Sequence, residues 1–274
     1  MTSARDLRNW AERELSAVTA DPGLDALILM SEATGLSRTH VLFRDSLEIE
    51  EEELFRSWIA RRKNHEPIQY ITTRAYFRNL TLEVGPGVLI PRPESEELVS
   101  AIKRAVTNLP YPKVLDLGAG SGALSIAIAT ELPGADVTAL EKDSAAAHWL
   151  KRNIDTSEVD VEVQVSDVQS FNSSTLFDAV VANPPYIPSG QSLPAEVMNF
   201  EPHVALFGGS DGLVILREFI GAAARVLKSG GYLAIEHYET QGTEVASLMA
   251  DTFSEVTLHY DLNQRPRFSS GVRK

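Results

Sequence analysis

The sequence predicts an α/β protein in which a mostly parallel sheet carries helices on both faces. A small helical domain precedes the sheet, and a β-hairpin connects the two. Three observations predict this arrangement. Residues 3–66 show helical periodicity, residues 75–90 change to strand alternation followed by a Pro- and Gly-rich loop, and later short β-branched strands alternate with helices. The predicted boundaries are 1–74 for the helical domain, 75–92 for the hairpin and linker, and 93–274 for the α/β domain.

Local signals place the helices of the first domain. The stretch "DPGLDALILMSEATG" has Pro22 near its first turn and Gly35 at its end, the usual positions of these residues at helix termini. The stretch "SLEIEEEELFRSWIARRKNHEP" puts Leu54, Trp58 and Ile59 on one side, with acidic residues early and basic residues late, as the helix dipole favours. We therefore expect a compact helical module.

Composition limits the classes of function. The chain has 274 residues, a net charge of −13 and no cysteine, which excludes disulfides and thiolate metal sites. No apolar run approaches the roughly 20 residues of a membrane helix, and the first residues lack the apolar core of a signal peptide. We expect a cytoplasmic protein with no membrane contact. The six histidines have no metal-ligand spacing, so no metal site is predicted.

The charge distribution argues against a nucleic-acid partner. Residues 81–274 carry 14 basic and 25 acidic groups, whereas phosphate binding requires a basic face. A basic face would have to be local, for example around Arg61, Arg62 and Lys63, and a solvated helix end explains that triplet better. An acidic body suits a basic protein partner.

A glycine loop follows the first strand of the α/β domain. In "VLDLGAGSGALSIA", three glycines at positions 118, 120 and 122 end a strand and open a helix, where backbone can approach a ligand closely. Glu141 ends the next strand, where a carboxylate can accept hydrogen bonds from ribose hydroxyls. The loop also satisfies the dinucleotide pattern G-x-G-x-x-G/A, so by itself it leaves an NAD-dependent oxidoreductase open.

The stretch "FDAVVANPPY" contains the fourth strand, which ends at the same edge of the sheet in the rigid, polar segment Asn-Pro-Pro-Tyr. Pro184 favours an extended Asn183, and Pro185 fixes its own φ. The Asn183 side-chain oxygen and the Pro184 carbonyl form a pair of acceptors that suits a planar –NH2 group, on which Tyr186 can stack. Such a site fits methyl transfer to an amide or exocyclic amine, with catalysis by orientation and electrostatic stabilisation.

The chain resembles the class I S-adenosylmethionine-dependent methyltransferases, and more narrowly the peptide chain release factor glutamine N5-methyltransferases. The resemblance runs from about residue 61 to the C-terminus. Its most specific parts are "VLIPRPESEELV" and "EVMNFEPHVALFGGSDGL", which DNA amino-methyltransferases with the Asn-Pro-Pro-Tyr element do not share. It implies a Rossmann-like class I methyltransferase sheet and methyl transfer to the glutamine of the Gly-Gly-Gln loop of release factors.

The resemblance also implies site residues. S-adenosyl-L-methionine, which leaves as S-adenosyl-L-homocysteine, would contact Gly118, Ala119, Gly120, Ser121, Gly122, Glu141, Asp167, Val168 and Asn183. The catalytic residues would be Asn183, Pro184 and Tyr186. The target glutamine would bind Asn183, Pro184, Pro185 and Tyr186. The helical domain would bind the release factor, and the segment 187–210, which lacks periodicity, is expected to be a lid or substrate loop.

Three alternatives remain beside this hypothesis. A nucleic-acid methyltransferase acting on adenine or guanine amines is disfavoured by the charge. A cofactor-binding protein without activity is disfavoured by the intact Asn-Pro-Pro-Tyr element. An NAD enzyme would leave that element unexplained.

Overall fold

The computed structural model describes residues 3–261 and 263–274. The chain divides into two compact units, of which the first comprises Met1–Arg74 and Leu193–Phe200. The second comprises Ala75–Ser192 and Glu201–Lys274. Within the described ranges, none of the helices has both the length and the apolar character that crossing a bilayer requires.

The first unit is helical, as predicted. Its helices are α1 (Ala4–Leu15), α2 (Pro22–Thr34), α3 (Arg38–Leu42), α4 (Ile49–Lys63) and α5 (Ile68–Thr72), and it includes α9 (Ala195–Phe200). Pro22 is the first residue of α2, and Gly35 caps its end in the left-handed conformation, with a φ of 65°. Both termini of this helix therefore lie where the sequence predicts them.

One buried position of α4 differs from the sequence prediction. Leu54, expected on the apolar side with Trp58 and Ile59, is 40% exposed, and Phe55 beside it is fully buried. Phe55 and Ile59 are four residues apart and therefore lie on one helix face, which packs into the core of the unit. The prediction is therefore right for Ile59 and Trp58, whereas Phe55 takes the buried position that was expected for Leu54.

The basic triplet at the end of α4 is neutralised within the first unit. Arg61 forms an ion pair with Glu66 at 2.6 Å, and Lys63 forms one with Glu14 at 2.5 Å. Both pairs are partly exposed, as expected for a helix end, and the acids cancel the positive charge that a phosphate would need.

Arg62 is buried, so the prediction of a solvated helix end is wrong for this residue. Its side chain is 6% exposed, and its Nε donates to the Asp25 carboxylate at 2.8 Å. Its Nη1 donates to Glu196 on α9 at 2.7 Å and to the Glu66 carbonyl at 3.1 Å. This guanidinium therefore ties α2, α4 and α9 of the same unit together.

The second unit contains the predicted hairpin and a seven-stranded sheet. The hairpin consists of β1 (Arg74–Phe77) and β2 (Leu80–Glu83). The large sheet consists of β3 (Lys113–Leu117), β4 (Asp136–Glu141), β5 (Val161–Val165), β6 (Phe177–Ala182), β7 (Leu227–Glu236), β8 (Phe253–Tyr260) and β9 (Pro266–Arg273). Its strand order is β5-β4-β3-β6-β7-β9-β8, and β9 runs antiparallel to both of its neighbours. The prediction of a mostly parallel sheet is confirmed.

Helices cover both faces of this sheet. They are α6 (Glu96–Val106), α7 (Ala123–Glu131), α8 (Ser144–Ser157), α10 (Val214–Val226) and α11 (Gly242–Met249). Successive residues of β6 point to opposite cores, because Val181 packs with α6 and α7, whereas Val180 packs with α10 and α11. A strand buried on both faces explains the continuous apolar run of "FDAVVA".

The segment 187–210, expected to be a lid or substrate loop, contains α9 of the first unit and a short 3-10 helix at His203–Ala205 of the second. No element is predicted from the sequence at α11, β8 or β9. β8 lies at the edge of the sheet, where its half-exposed residues give a weak apolar pattern, and the buried centre of β9, residues 268–271, is mostly serine and glycine.

The buried ion pair of the helical unit predicts a large difference between neighbouring substitutions. Arg62→Met leaves the Asp25 carboxylate buried without its cation and should lower the free energy of unfolding by about 3–5 kcal/mol. Lys63→Met removes only an exposed pair and should cost less than about 1 kcal/mol. Urea unfolding in a Trp149→Phe background measures this, since the other two tryptophans, Trp10 and Trp58, are both in the helical unit. Equal losses in the two variants would contradict the prediction.

Candidate active site

The glycine loop and the Asn-Pro-Pro-Tyr stretch meet at the point where the strand order reverses. β3 pairs with β4 on one side and with β6 on the other, all in parallel. Leu117 and Ala182, the last residues of β3 and β6, are register partners. The next residues are Gly118 and Asn183, so the two predicted motifs lie side by side at the crevice where open α/β sheets bind ligands.

The loop after β3 adopts a conformation that glycine favours. Gly118, Gly120 and Gly122 have φ values of 73°, 57° and 86°. A Cβ on Gly122 would lie 2.7 Å from Leu150, so this glycine permits close helix packing. A Cβ on Gly120 would contact nothing within 4 Å. The space above Gly120 therefore allows a ligand to approach the loop backbone.

Glu141 joins the loop to the end of β4. Its carboxylate accepts hydrogen bonds from the backbone N–H of Gly120 and of Asp143, both at 2.8 Å. The side chain is buried, and each oxygen keeps a further lone pair. These lone pairs are suitable acceptors for hydroxyl groups of a ligand.

Asp167 and Val168 follow β5 at the same edge. The Asp167 carboxylate accepts from the Gln169 backbone at 2.9 Å and lies 3.4 Å from the Lys142 ammonium. The backbone hydrogen bond from Gln169, together with Lys142, lowers the pKa of Asp167. Val168 is buried and contributes an apolar surface.

A cavity of about 350 Å³ connects these elements. The predicted site residues that line it are Gly118, Ala119, Gly120, Ser121, Glu141, Asp167, Val168, Asn183 and Pro185. The other three predicted site residues do not line the cavity, although each is adjacent in sequence to a residue that does: Gly122, Pro184 and Tyr186. Volume and lining are typical of a small-molecule site that surrounds its ligand.

Asn183 is the first member of a hydrogen-bonded chain that sequence analysis missed. Its Nδ2 donates to the Ser95 hydroxyl at 3.0 Å, and that hydroxyl donates to Glu236 Oε2 at 2.5 Å. The Tyr186 hydroxyl donates to Glu236 Oε1 at 2.9 Å. Glu236 could have been suspected from "YLAIEH", because it is an acid at the carboxyl end of an apolar strand. Ser95 carries no such signal.

Burial changes the acid–base properties of this chain of groups. Glu236 is 2% exposed, and burial raises its pKa, although the Ser95 and Tyr186 hydroxyls oppose that rise. Burial, together with the nearby Glu236 charge, raises the pKa of Tyr186 well above its usual value. Tyr186 is therefore a hydrogen-bond donor throughout the neutral range.

Two glycines of the "FGGSDGL" stretch pack against the Asn-Pro-Pro-Tyr backbone. A Cβ on Gly208 would lie 2.5 Å from the Pro185 carbonyl oxygen, and one on Gly212 would lie 2.2 Å from the Tyr186 carbonyl oxygen. Gln241 donates to that Tyr186 carbonyl at 3.0 Å. Only glycine fits at these two positions, which explains why the stretch "FGGSDGL" has glycine there.

The Pro-Arg-Pro loop is fixed by Glu201. Arg92 Nη2 donates to Glu201 Oε1 at 2.6 Å, and the Ile90 N–H donates to Oε2 at 3.1 Å. Arg92 also lines the cavity, and its pairing with Glu201 supports a loop-stabilising role.

A further buried carboxylate, Asp116, lies on the strand before the glycine loop. Asp116 on β3 is fully buried, and its Oδ2 accepts from the Ser125 N–H at 3.0 Å. Its Oδ1 has no hydrogen-bond partner among the described residues. Burial raises the pKa of Asp116 to about 7.

Two protein-family models match the chain. The "PrmC N-terminal domain" matches residues 6–72, and the "Methyltransferase small domain" matches residues 94–200. Among solved structures, a Thermus thermophilus 16S rRNA guanine N2-methyltransferase is 23% identical, with a TM-score of 0.53, over 73% of this chain and 50% of that chain. The ribosomal protein L11 methylase of Lactobacillus delbrueckii is 19% identical, with a TM-score of 0.51, over 70% and 85%. These likenesses, with the strand order, show that the second unit has the fold of the class I methyltransferases.

Curated relatives identify the family. A release factor glutamine methyltransferase of Mycolicibacterium smegmatis is 37% identical over 100% of this chain and 99% of its own length. Those of Bifidobacterium longum and Streptomyces coelicolor are 37% and 41% identical, over 97% and 77% of this chain and 98% and 78% of their own lengths. The chain belongs to the release factor glutamine methyltransferase family.

The raised pKa of Asp116 predicts pH-dependent stability. The unfolded carboxyl loses its proton near pH 4, whereas the folded one keeps it until about pH 7. The stabilisation is therefore complete below about pH 4 and is lost progressively as the pH rises from there to about 7. Relative to Asp116→Asn, a neutral isostere, the wild type should lose about 2–3 kcal/mol of unfolding free energy between pH 5 and pH 8.

Urea unfolding followed by Trp149, with Trp10 and Trp58 changed to Phe, measures this difference in the second unit. A constant difference between wild type and Asp116→Asn across that pH range would contradict the prediction.

Proposed function

We propose that this methyltransferase transfers a methyl group from S-adenosylmethionine to the side-chain amide nitrogen of the glutamine in the Gly-Gly-Gln loop of release factors. The observation that carries the proposal is that one cavity joins the glycine loop and Glu141 to Asn183 and Pro185. Membership of the release factor glutamine methyltransferase family supports the choice of substrate. A release factor acts in translation, so we also propose a cytoplasmic location.

The residues present fit the methyl donor. Gly118 to Gly122 would hold its methionine part, where the space above Gly120 admits a ligand. Glu141 would accept from its ribose hydroxyls, and Asp167 and Val168 would flank its adenine. When bound, S-adenosylmethionine supplies an electrophilic methyl group on a sulfonium centre.

Asn183 and its neighbours would prepare the target nitrogen. An amide nitrogen is a poor nucleophile because its lone pair is delocalised into the carbonyl. Acceptors at Asn183 Oδ1 and the Pro184 carbonyl would hold the two N–H bonds, and the ring of Tyr186 would fix the plane of the amide. This orientation favours a pyramidal nitrogen with a localised lone pair, and the acceptors stabilise the positive charge that develops there. One of the two amide protons then leaves to solvent.

We propose that the helical unit binds the body of the release factor. Apolar side chains at the end of α3 and the start of α4 are exposed, with Leu42 at 50%, Phe43 at 83% and Ile49 at 67%. Exposed apolar groups of this size commonly belong to protein-binding surfaces. The acidic excess of the chain lies largely in residues 81–274, so a basic partner would be attracted to that part of the chain, whereas the contact with the helical unit would be mainly apolar.

Methylation of a nucleic-acid amine is not favoured. The net charge is −13, and the basic triplet of α4 is paired with acids. We therefore expect no direct contact with nucleic acid.

Methyl-labelled cofactor tests the proposal directly. We expect label in a release factor, and none in the same factor with its loop glutamine changed to alanine or in RNA or DNA. Label in nucleic acid, or equal label in both forms of the factor, would overturn the proposed function.

The role of Asn183 predicts a separation of binding from turnover. Asn183→Ala should lower kcat by about 100-fold or more, because an acceptor aimed at the developing charge is lost. Cofactor affinity, measured by calorimetry, should stay within about twofold of the wild type, since the glycine loop and Glu141 are unchanged.

Asn172→Ala is the matched control, because Asn172 is an exposed asparagine of the same unit outside the cavity lining. It should change neither quantity. A parallel loss of cofactor affinity and turnover in Asn183→Ala would assign Asn183 to the cofactor.

A further inference from the structure

We propose that Glu236 is a positioning residue that, through Ser95, determines which end of the Asn183 side-chain amide faces the cavity. This rests on the proposed function, in which Asn183 Oδ1 accepts a hydrogen bond from the target amide. Neither Glu236 nor Ser95 needs to touch substrate or cofactor for this role. The groups involved belong to three elements: the end of β7, the start of α6 and the loop after β6.

The sheet register brings Glu236 to this place. Ala182 and Ile235 are register partners in the parallel pairing of β6 with β7. The residue after each of them is Asn183 and Glu236 respectively, so these two side chains belong to one corner of the sheet. Ser95 enters between them from the 3-10 turn before α6 and contacts both, at 3.0 Å and 2.5 Å.

The direction of the hydrogen bonds follows from the number of available protons. An ionised carboxylate only accepts, so the single hydroxyl proton of Ser95 is donated to Glu236. Ser95 Oγ can then only accept from Asn183, and the Asn183 group that faces it is the NH2. The Oδ1 atom is thereby directed away from Ser95, and no described residue donates a hydrogen bond to it.

Tyr186 helps to keep Glu236 a hydrogen-bond acceptor and so maintains the direction of the bonds from Asn183 to Ser95 and from Ser95 to Glu236. Its hydroxyl donates to the other oxygen of Glu236 at 2.9 Å, and its raised pKa keeps that proton in place. Glu236 therefore has two donors, and neither bond can reverse while the carboxylate is ionised. The same carboxylate holds the stacking residue and the acceptor residue of the proposed substrate site.

If residue 236 served only to hold Ser95 and Tyr186 together, a neutral side chain would cost less stability than Glu236. Glu236 is almost fully buried, and burying an ionised carboxylate without a directly bonded cation costs stability. Glutamine would fill the same volume and bond both hydroxyls, but its NH2 end could face Ser95. Ser95 would then donate to Asn183, and the asparagine would present its NH2 to the N–H groups of the target. A group that only accepts excludes this arrangement.

Protonation of Glu236 would have the same consequence as that substitution. The charged and titratable groups that act on Glu236 are Glu94 before α6, Tyr186 after β6 and Arg267 on β9. Burial and Glu94 raise its pKa, whereas Arg267 lowers it, and burial dominates. Turnover should therefore fall as the pH decreases through the raised pKa of Glu236, because the acceptor at Asn183 is lost.

Glu236→Gln tests this mechanism in the full-length protein with the release factor as substrate. We expect kcat to fall about 10- to 100-fold with cofactor affinity unchanged, and the acidic limb of the kcat–pH profile to disappear. Glu131→Gln is the matched control: Glu131 accepts from Arg78 and Lys103 in the same unit and does not line the cavity. It should keep both kcat and the acidic limb, even if it lowers stability.

A second readout needs no turnover. The side-chain NH2 of Asn183 gives a pair of signals in a ¹H–¹⁵N correlation spectrum, assigned by their absence in Asn183→Ala. In the wild type these signals should shift with pH as Glu236 titrates, and in Glu236→Gln they should not. Ser95→Ala removes the link while keeping the carboxylate and should also abolish the shift, so the test holds even if Glu236→Gln does not fold.

The outcomes separate the two proposals. An Asn183 signal that is independent of pH in the wild type, or a Glu236→Gln variant with unchanged kcat and pH profile, would overturn the positioning role. A wild type that places no label in the release factor would overturn the proposed function, while the spectrum would still decide whether Glu236 controls Asn183.

Discussion

The parallel pairing of β3 with β6 is the constraint on which the site depends. These strands are neighbours where the order of the sheet reverses, and their last residues, Leu117 and Ala182, are in register. Both strands are buried on both faces, so a shift of β6 by one residue would exchange the side chains of the two cores. Packing on both faces therefore fixes the register, and the register puts the glycine loop beside Asn183.

Stiffness of the Asn-Pro-Pro-Tyr stretch comes from two sources. The prolines restrict the backbone and remove two N–H donors, which is a local effect of sequence. Contacts from elsewhere in the chain then hold the carbonyls: Gly208 and Gly212 pack against them, and Gln241 donates to one. The motif "FGGSDGL" thus stabilises the Asn-Pro-Pro-Tyr backbone by packing against its carbonyl groups.

Buried charge is concentrated around this site. Asp116, Glu201 and Glu236 all lie in the interior next to the cavity or the loops that form it. Each costs desolvation free energy, and each accepts hydrogen bonds from loop or backbone groups. Departures from an apolar core are expected where a protein must position polar groups for function.

Much of the architecture could be predicted from local pattern. Helix termini at Pro22 and Gly35, the hairpin, the parallel strands and the glycine loop each depend on residues close together in the chain. The last two strands could not, because their alternation is weak and β9 is defined by its antiparallel pairing with both neighbours. The orientation of α4, with Phe55 inward in place of Leu54, was decided by packing against α1 and α2.

The sequence by itself determined the class of the protein and the two motifs of its site, because a glycine loop and a proline-stiffened Asn183 are set by local backbone chemistry. Only the tertiary structure decided which residues form hydrogen bonds with Asn183 and Tyr186. Ser95 is 88 residues from Asn183, and Tyr186 is 50 residues from Glu236. Contacts at such separations depend on strand order and register, which arise from the packing of the whole sheet. For the same reason the buried Arg62 could not be distinguished in sequence from its paired, partly exposed neighbours.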